Sequence, residues 1–410
     1  MNVLISAFTV GPYQGSETGI GWRWITHIAK HCKVFVICGD DCKEDVMVEY
    51  EKLSQKDNIH FVFNPIPPKV LQMANNQGQW RFYYGYRQWQ KKSLEIANRV
   101  CEENQIDIIH HLNMTGFREP GYLWKINGPK YVWGPVGGMN MCPLNYIKGI
   151  DAKTTNKYRI KNLLNWLQFR IEPRIKKATD RAKQIICDGD DGVEIFKKVY
   201  GVDCVQINET GCVVRDEIKR EKTAGSGEGL ELLWAGRFLP TKLLDLAFKA
   251  LAKLGVEYHV KMHILGSGAN EEKYRSIADA LGLNNRLVWH GQVPHDEVEH
   301  LMRSSDLFFF TSVVEGTPSV IMECITNGLP ILCFDTCGFG PLVDESIGEK
   351  IQLSNPEQSA REFADKIKYF YDHREILQQK SENCKDKLST ISWDSLANKV
   401  IDIYKQVLNQ

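Results

Sequence analysis

The chain has 410 residues, more than one ordinary core organises, and a prior of roughly 150 residues per domain gives two or three domains. Its 43% apolar and 25% charged content is that of a globular protein in water. Lys+Arg and Asp+Glu balance at 51 each, which excludes a global field drawing in nucleic acid and leaves only local charge arguments.

The N-terminal stretch MNVLISAFTVGPYQ has neither a basic n-region nor a cleavage site and reads as a first strand. No apolar run reaches about 18 residues, the length of a membrane span. A cytoplasmic protein is expected. Its 12 cysteines contain no Cys-x-x-Cys pair. Cys38/Cys42 and Cys333/Cys337 each end an apolar run with no second ligand pair nearby, so buried reduced thiols are expected rather than zinc.

Strand-length apolar runs follow in order: VLISAF (3–8), KVFVIC (33–38), IHFVF (59–63), DIIHHL (107–112), KYVWGP (130–135) and QIICDG (184–189). Segments of helical period separate most of them, the pattern of a parallel sheet covered on both faces. It stops at VVRDEIKREKTAGSGEG (213–229), charged and aperiodic, which reads as a linker. The alternation restarts with LELLWAGRF (230–238), VKMHILGSG (260–268), NRLVWHGQV (285–293), DLFFFTSV (306–313), PILCFDTCG (330–338) and KIQL (350–353), and ends on an amphipathic helix at 392–408. The expected fold class is therefore α/β. A first domain spans 1–212, a linker 213–229, a second domain 230–390, and a C-terminal helix in 391–410 returns toward the first domain. Ligands of such sheets bind at the carboxyl ends of the strands.

Two stretches depart from the sheet pattern. Residues 153–183 carry ten Lys/Arg against two acids, with Leu163, Leu164, Trp166, Leu167 and Phe169 among them. Residues 69–99 hold six basic residues and one acid around Trp80, Phe82, Tyr83, Tyr84, Tyr86 and Trp89. Each is either a solvated helix face over core aromatics or a basic amphipathic helix lying on an anionic membrane.

Chemistry gathers just after strands. GRFLPTK (236–242) sets Arg237 and Lys242 around a turn at Pro240, a bidentate and a point cation suited to phosphate oxygens. VVEGTPSVIMECITNGLPI (313–331) delivers Glu315 and Gly316 after a strand; Thr317 reads as N-cap, Pro318 as first helical residue and Gly328 as the helix stop. Free N–H groups of Thr317, Ser319 and Val320 would make an anion site. Apolar residues surround Glu323 on all sides, so a buried helix is expected, whose carboxylate needs donors such as sugar or ribose hydroxyls or a structural cation. DGDDG (188–192) contains an Asp-x-Asp, a metal motif elsewhere, but it lies between a strand and a helix, where Asp serves as an N-cap.

Together, Gly-Arg-x4-Lys, Glu-x7-Glu and the two-domain alternation resemble glycosyltransferase family 4, whose members have the GT-B fold: two Rossmann-like, doubly wound parallel-sheet domains facing across a cleft. The resemblance covers most of the chain and is strongest from Leu230 to Pro330. It implies a retaining, metal-independent transferase without cofactor, moving sugar from a nucleoside-diphosphate-sugar to a glycan or lipid-linked acceptor in surface polysaccharide synthesis. Peripheral contact with an anionic membrane and no nucleic-acid partner would fit.

The resemblance makes Arg237 and Lys242 the pair on the donor diphosphate, and Glu315, with Gly316 and Thr317, the holder of the donor sugar. Glu323 would bond the ribose, Pro318, Ser319 and Val320 would lie along the diphosphate, Gly266 and Val293 would flank the base, and Gly15 would approach the phosphates from the first domain. In that domain, Glu17 of GPYQGSETG is an acceptor contact or a helix first-turn acid, and Gly137 and Gly138 of WGPVGG belong to an acceptor-side loop. His110 and His111 end a strand; neighbours on a strand face opposite ways, so one could reach donor or acceptor, and His111 is favoured as the catalytic one. The sequence departs from the family at Leu243, where glycine is usual after the lysine, and at Thr210-Gly211, where Asn-Gly is usual. A GT-B epimerase or phosphorylase, or a binding module without turnover, are the competing readings.

Overall fold

A computed structural model describes residues 1–74, 80–148, 152–214, 220–221 and 228–410. Most of the expected linker (215–219 and 222–227) and part of the first basic stretch (75–79) lie outside the described residues.

The first sheet contains β1 (Asn2–Ser6), β2 (Lys33–Cys38), β3 (Ile59–Phe63), β4 (Ile108–His111), β5 (Lys130–Val136), β6 (Ala182–Cys187) and β7 (Val205–Gln206) in the order β3-β2-β1-β4-β5-β6-β7. The second contains β8 (Leu230–Ala235), β9 (Val260–Leu265), β10 (Leu287–Gly291), β11 (Leu307–Phe310), β12 (Ile331–Phe334) and β13 (Gly348–Ile351) in the order β10-β9-β8-β11-β12-β13. Every pairing is parallel. Parallel strands covered on both faces carry unbroken apolar runs, and for that reason β1, β8 and β11 were legible. The two-residue β7 is too short to leave a periodic signal.

Each sheet reverses direction once, between β1 and β4 and between β8 and β11. Such switch points leave a crevice at the carboxyl ends of the strands. Apolar residues pack on both faces of each sheet. Helices Pro356–Asp372 and Arg374–Ile391 cover the second sheet, and the chain then crosses back. Helix Trp393–Leu408 buries Leu396, Val400, Tyr404 and Val407 against the first-sheet core, as its amphipathic pattern led us to expect. The return crossing is tied to the outgoing one, because Cys212 N–H donates to the Ile391 carbonyl at 3.1 Å and Trp393 N–H to the Cys212 carbonyl at 3.2 Å.

Candidate active site

β8 and β11 are neighbours, so the loops leaving them start about 4.8 Å apart. That spacing brings Lys242, on the turn Pro240–Lys242, into an ion pair with Glu315. Ser312 Oγ donates to the same carboxylate at 2.6 Å, and Thr311 Oγ1 donates to the Lys242 carbonyl at 2.7 Å. The Lys242 ammonium also lies 5.3 Å from the Phe310 ring centroid. Arg237, on the same β8 loop, is exposed.

Leu243 explains its own departure from the family pattern. It takes φ +49°, the left-handed region, where glycine costs nothing and a leucine is strained. Its side chain is buried in the second-domain core, which offsets that strain.

Helix Ser319–Thr326 starts later than the sequence suggested: Pro318 occupies the cap position and Thr317 lies outside. Glu209 meets this end of the helix. Its carboxylate, reached from the end of the first domain, receives the Thr317 backbone N–H and the Thr115 side chain. The N–H assigned to a phosphate is thus already facing a carboxyl group of the chain itself. At the far end, Gly328 (φ +66°) and Leu329 close a full Schellman motif, Gly328 N–H donating to the Ile325 carbonyl at 3.1 Å and Leu329 N–H to that of Cys324 at 2.9 Å.

The helix is not buried all round. Ser319, Met322, Glu323 and Thr326, one helical face, open onto a cavity of about 580 Å³ between the two domains. Glu323 is half-buried there, and its carboxylate makes no hydrogen bond or ion pair with the described residues. Across the cavity stand Gly15, Arg23, Glu209 and Gly211, with Glu315, Gly316, Thr317 and Pro318 completing the second-domain wall. Val320 turns away and packs on the apolar core.

Glu209 and Arg23 were missed in the sequence. Arg23 lies on helix Ser16–Ile28, two turns past Gly15, and the pattern GIGWRW gives no reason to single it out. Glu209 sits beside Thr210-Gly211, where only the family comparison drew notice. Burial, then the charges of Asp188 and Glu17, hold the Glu209 carboxyl above the usual carboxylate range. Asp188 is raised as well, by burial and by Asp191. Both crowd Gly316: a Cβ added there would stand 3.1 Å from Glu209 Oε1 and 3.3 Å from Asp188 Oδ2.

The other expected residues are placed as follows. Gly137 covers Asp188, whose Oδ2 would stand 2.2 Å from a Cβ at that position, and Gly138 has φ +76°. Two residues further, Asn140 Nδ2 donates to the Glu315 carbonyl at 3.0 Å and joins the domains. Gly266 (φ +128°) lets β8 and β9 close up, since a Cβ there would meet the Gly236 carbonyl at 1.9 Å. Val293 packs partly buried on the second sheet. Glu17 is in the first turn of its helix, holds the backbone N–H groups of Met114 and Thr115, and does not line the cavity; burial raises its carboxyl. In DGDDG the N-cap is Gly189 rather than an aspartate, and Asp190 and Asp191 form the first turn of helix Asp190–Tyr200. Among the described residues no cluster of His, Cys, Asp and Glu is arranged to hold a metal ion.

The histidine expectation is corrected. Neither His110 nor His111 lines the cavity. His110 is fully buried, with Nδ1 2.6 Å from Tyr404 Oη and Nε2 2.7 Å from the Gly134 carbonyl. The carbonyl accepts, so Nε2 carries the proton and Nδ1 takes the tyrosine hydroxyl. His111 faces the opposite side of the sheet, buried beside Gln90 and Gly121. Burial pulls both imidazoles down to about 4.

Two doubly wound parallel sheets, with polar loops converging at both switch points, are the GT-B arrangement. Residues 215–387 match the family described as Glycosyl transferases group 1. An uncharacterized glycosyltransferase of Methanocaldococcus jannaschii is 25% identical over 175 residues, 42% of this chain and 44% of that protein, so the match spans less than half of the relative. The Escherichia coli UDP-Gal:alpha-D-GlcNAc-diphosphoundecaprenol alpha-1,3-galactosyltransferase is 24% identical over 317 residues, 72% of this chain and 74% of that protein. In fold, the chain superposes on Anabaena HepE, solved in complex with UDP, with TM-score 0.61 and 16% identity over 99% of this chain and 100% of that one. The chain as a whole therefore has the GT-B fold, and its residues 215–387 are similar to the group 1 glycosyltransferases.

Proposed function

We propose that the protein transfers a hexosyl group from a nucleoside-diphosphate-sugar to a hydroxyl of a glycan or lipid-linked acceptor, with retention and without a metal, in surface polysaccharide synthesis at the cytoplasmic face of the membrane. The observation that carries this reading is the Lys242–Glu315 pair at the second switch point, whose Glu315 lines the cavity with Gly316 and Thr317 opposite Gly15 and Arg23. In it, Arg237 and Lys242 meet the negative charge that develops on the leaving phosphate, aided by the N-terminus of helix Ser319–Thr326. Glu315 holds the sugar hydroxyls. Glu323, half-buried and without a partner among the described residues, takes the ribose hydroxyls.

Among the described residues no nucleophile stands out for the far face of the sugar, and the step proposed is attack on the same face. The bond from C1 to the phosphate oxygen breaks, the bond from C1 to the acceptor oxygen forms, and the phosphate oxygen takes the acceptor proton. The names of the E. coli relative and of the UDP-bound Anabaena structure support a nucleotide donor and a lipid-linked acceptor. The test is release of nucleoside diphosphate from UDP-, GDP- and ADP-sugars with a lipid-linked acceptor. Turnover with one donor is expected; binding of nucleotide without release from any donor would make this a binding module.

A further inference from the structure

Helix Ala152–Ile171 is built inside out. It buries Thr155, Asn165 and Phe169, while Ile160, Leu163, Leu164, Trp166 and Ile171 are 58%, 57%, 47%, 46% and 69% exposed. A helix on a soluble core ordinarily does the reverse. Its polar side chains are used inward: Arg118 donates to Gln168 Oε1 at 2.8 Å and to Asn165, and Asn162 accepts from Cys142 N–H at 3.0 Å and donates to the Cys142 carbonyl at 2.9 Å. These bonds fix the rotation of the helix, so the apolar face is outward by construction.

At 100° per residue, Ile160, Leu163, Leu164, Leu167 and Ile171 fall on one stripe, opposite the buried side. Lys157 and Lys161 border it on one flank, Arg159 and Arg170 on the other. With Lys153 the helix carries five cations and no acid. A second copy of this chain would bring five like charges against five, which opposes a symmetric dimer through this face. An apolar stripe between two rows of cations matches a lipid bilayer with anionic headgroups, acyl chains under the stripe and phosphates beside the rows. Twenty residues make a rod of about 30 Å. No described helix is long and apolar enough to cross a membrane, so this one would lie flat.

We infer that helix Ala152–Ile171 is the docking surface of this protein for an anionic membrane. The inference deepens the membrane-facing part of the proposed function, and its test uses neither donor nor acceptor, so the two can fail separately. The full chain is sedimented with vesicles of phosphatidylglycerol in phosphatidylcholine and with pure phosphatidylcholine vesicles, at low and high salt. Partitioning onto the anionic vesicles is expected, at least tenfold weaker on neutral ones and falling with salt. Leu163→Asp/Leu164→Asp should lose at least tenfold, and Lys157→Glu/Arg159→Glu should lose as much while binding with less salt dependence. All four positions are exposed, so the melting temperature serves as the folding control. Wild-type protein that stays in the supernatant, or either folded variant binding like wild type, would overturn the inference. So would a solution dimer that Leu163→Asp/Leu164→Asp dissociates in a protein that ignores vesicles.

Discussion

Lys242 and Glu315 form an ion pair between the loops of adjacent strands β8 and β11, with only 15% and 17% of their side chains exposed. Each therefore sets the orientation of the other. Glu315→Ala leaves Lys242 free to meet phosphate but removes the group assigned to the sugar. Transfer should fall by about 10² or more, and nucleoside diphosphate affinity by calorimetry should change less than about threefold. Normal transfer by this variant would remove Glu315 from the reaction.

Arg23 lines the cavity from the first domain, and Arg237 is exposed on the β8 loop of the second. Arg237→Ala and Arg23→Ala should each weaken nucleoside diphosphate binding by about tenfold, with transfer falling alongside. An Arg23→Ala protein with wild-type affinity would show that the first domain contributes no cation to the diphosphate.

Glu209 should give binding a pH dependence. Its carboxyl is raised, so it stays neutral where an ordinary glutamate is ionised and gains charge only as pH rises through its elevated pKa. Nucleoside diphosphate affinity should then decline on the alkaline side, and Glu209→Gln should flatten that decline. Stability has the same sign: the folded state holds a proton that the unfolded chain has released, so stability is lost as pH rises from the ordinary carboxylate range through the raised one. Denaturant melts of wild type and Glu209→Gln across that range should diverge at higher pH, with the variant the more stable.

Two glycines separate packing from ligand approach. A Cβ at Gly15 would meet nothing within 4 Å, and its backbone is not left-handed, so Gly15→Ala should melt like wild type. If Gly15 lets the chain approach the phosphates, affinity should nevertheless fall. Gly316→Ala pushes on Glu209 and Asp188 and should lower the melting temperature as well.

Leu243→Gly relieves a left-handed leucine, a gain of about 1 kcal/mol, and removes a buried side chain, a loss of about 2–5 kcal/mol. The variant should be less stable by about 1–4 kcal/mol in urea titrations. A stabilised variant would mean that the strain outweighs the packing.

Much of this was readable before the fold was known. Runs such as KVFVIC and DLFFFTSV announce strands because a strand buried on both faces has no room for polar residues. Glu315, Gly316 and Lys242 could be picked out because a parallel sheet puts its chemistry after its strands. The two histidines could not be resolved that way. Alternation says that His110 and His111 face apart, but Tyr404, almost 300 residues on, closes one side and Gln90 the other.

The sequence by itself determined the two sheets, their parallel sense and the loops that hold the chemistry, since these follow from local periodicity and short-range turns. Tertiary structure alone decided what depends on distant neighbours. Glu209 reaches Thr317 only because the domains meet, and it takes the N–H that a phosphate was expected to find. Composition reveals that helix Ala152–Ile171 is both apolar and basic, but not which face it shows. Arg118 decides that by holding Asn165 and Gln168 inward, because a buried amide needs a partner and an exposed leucine does not.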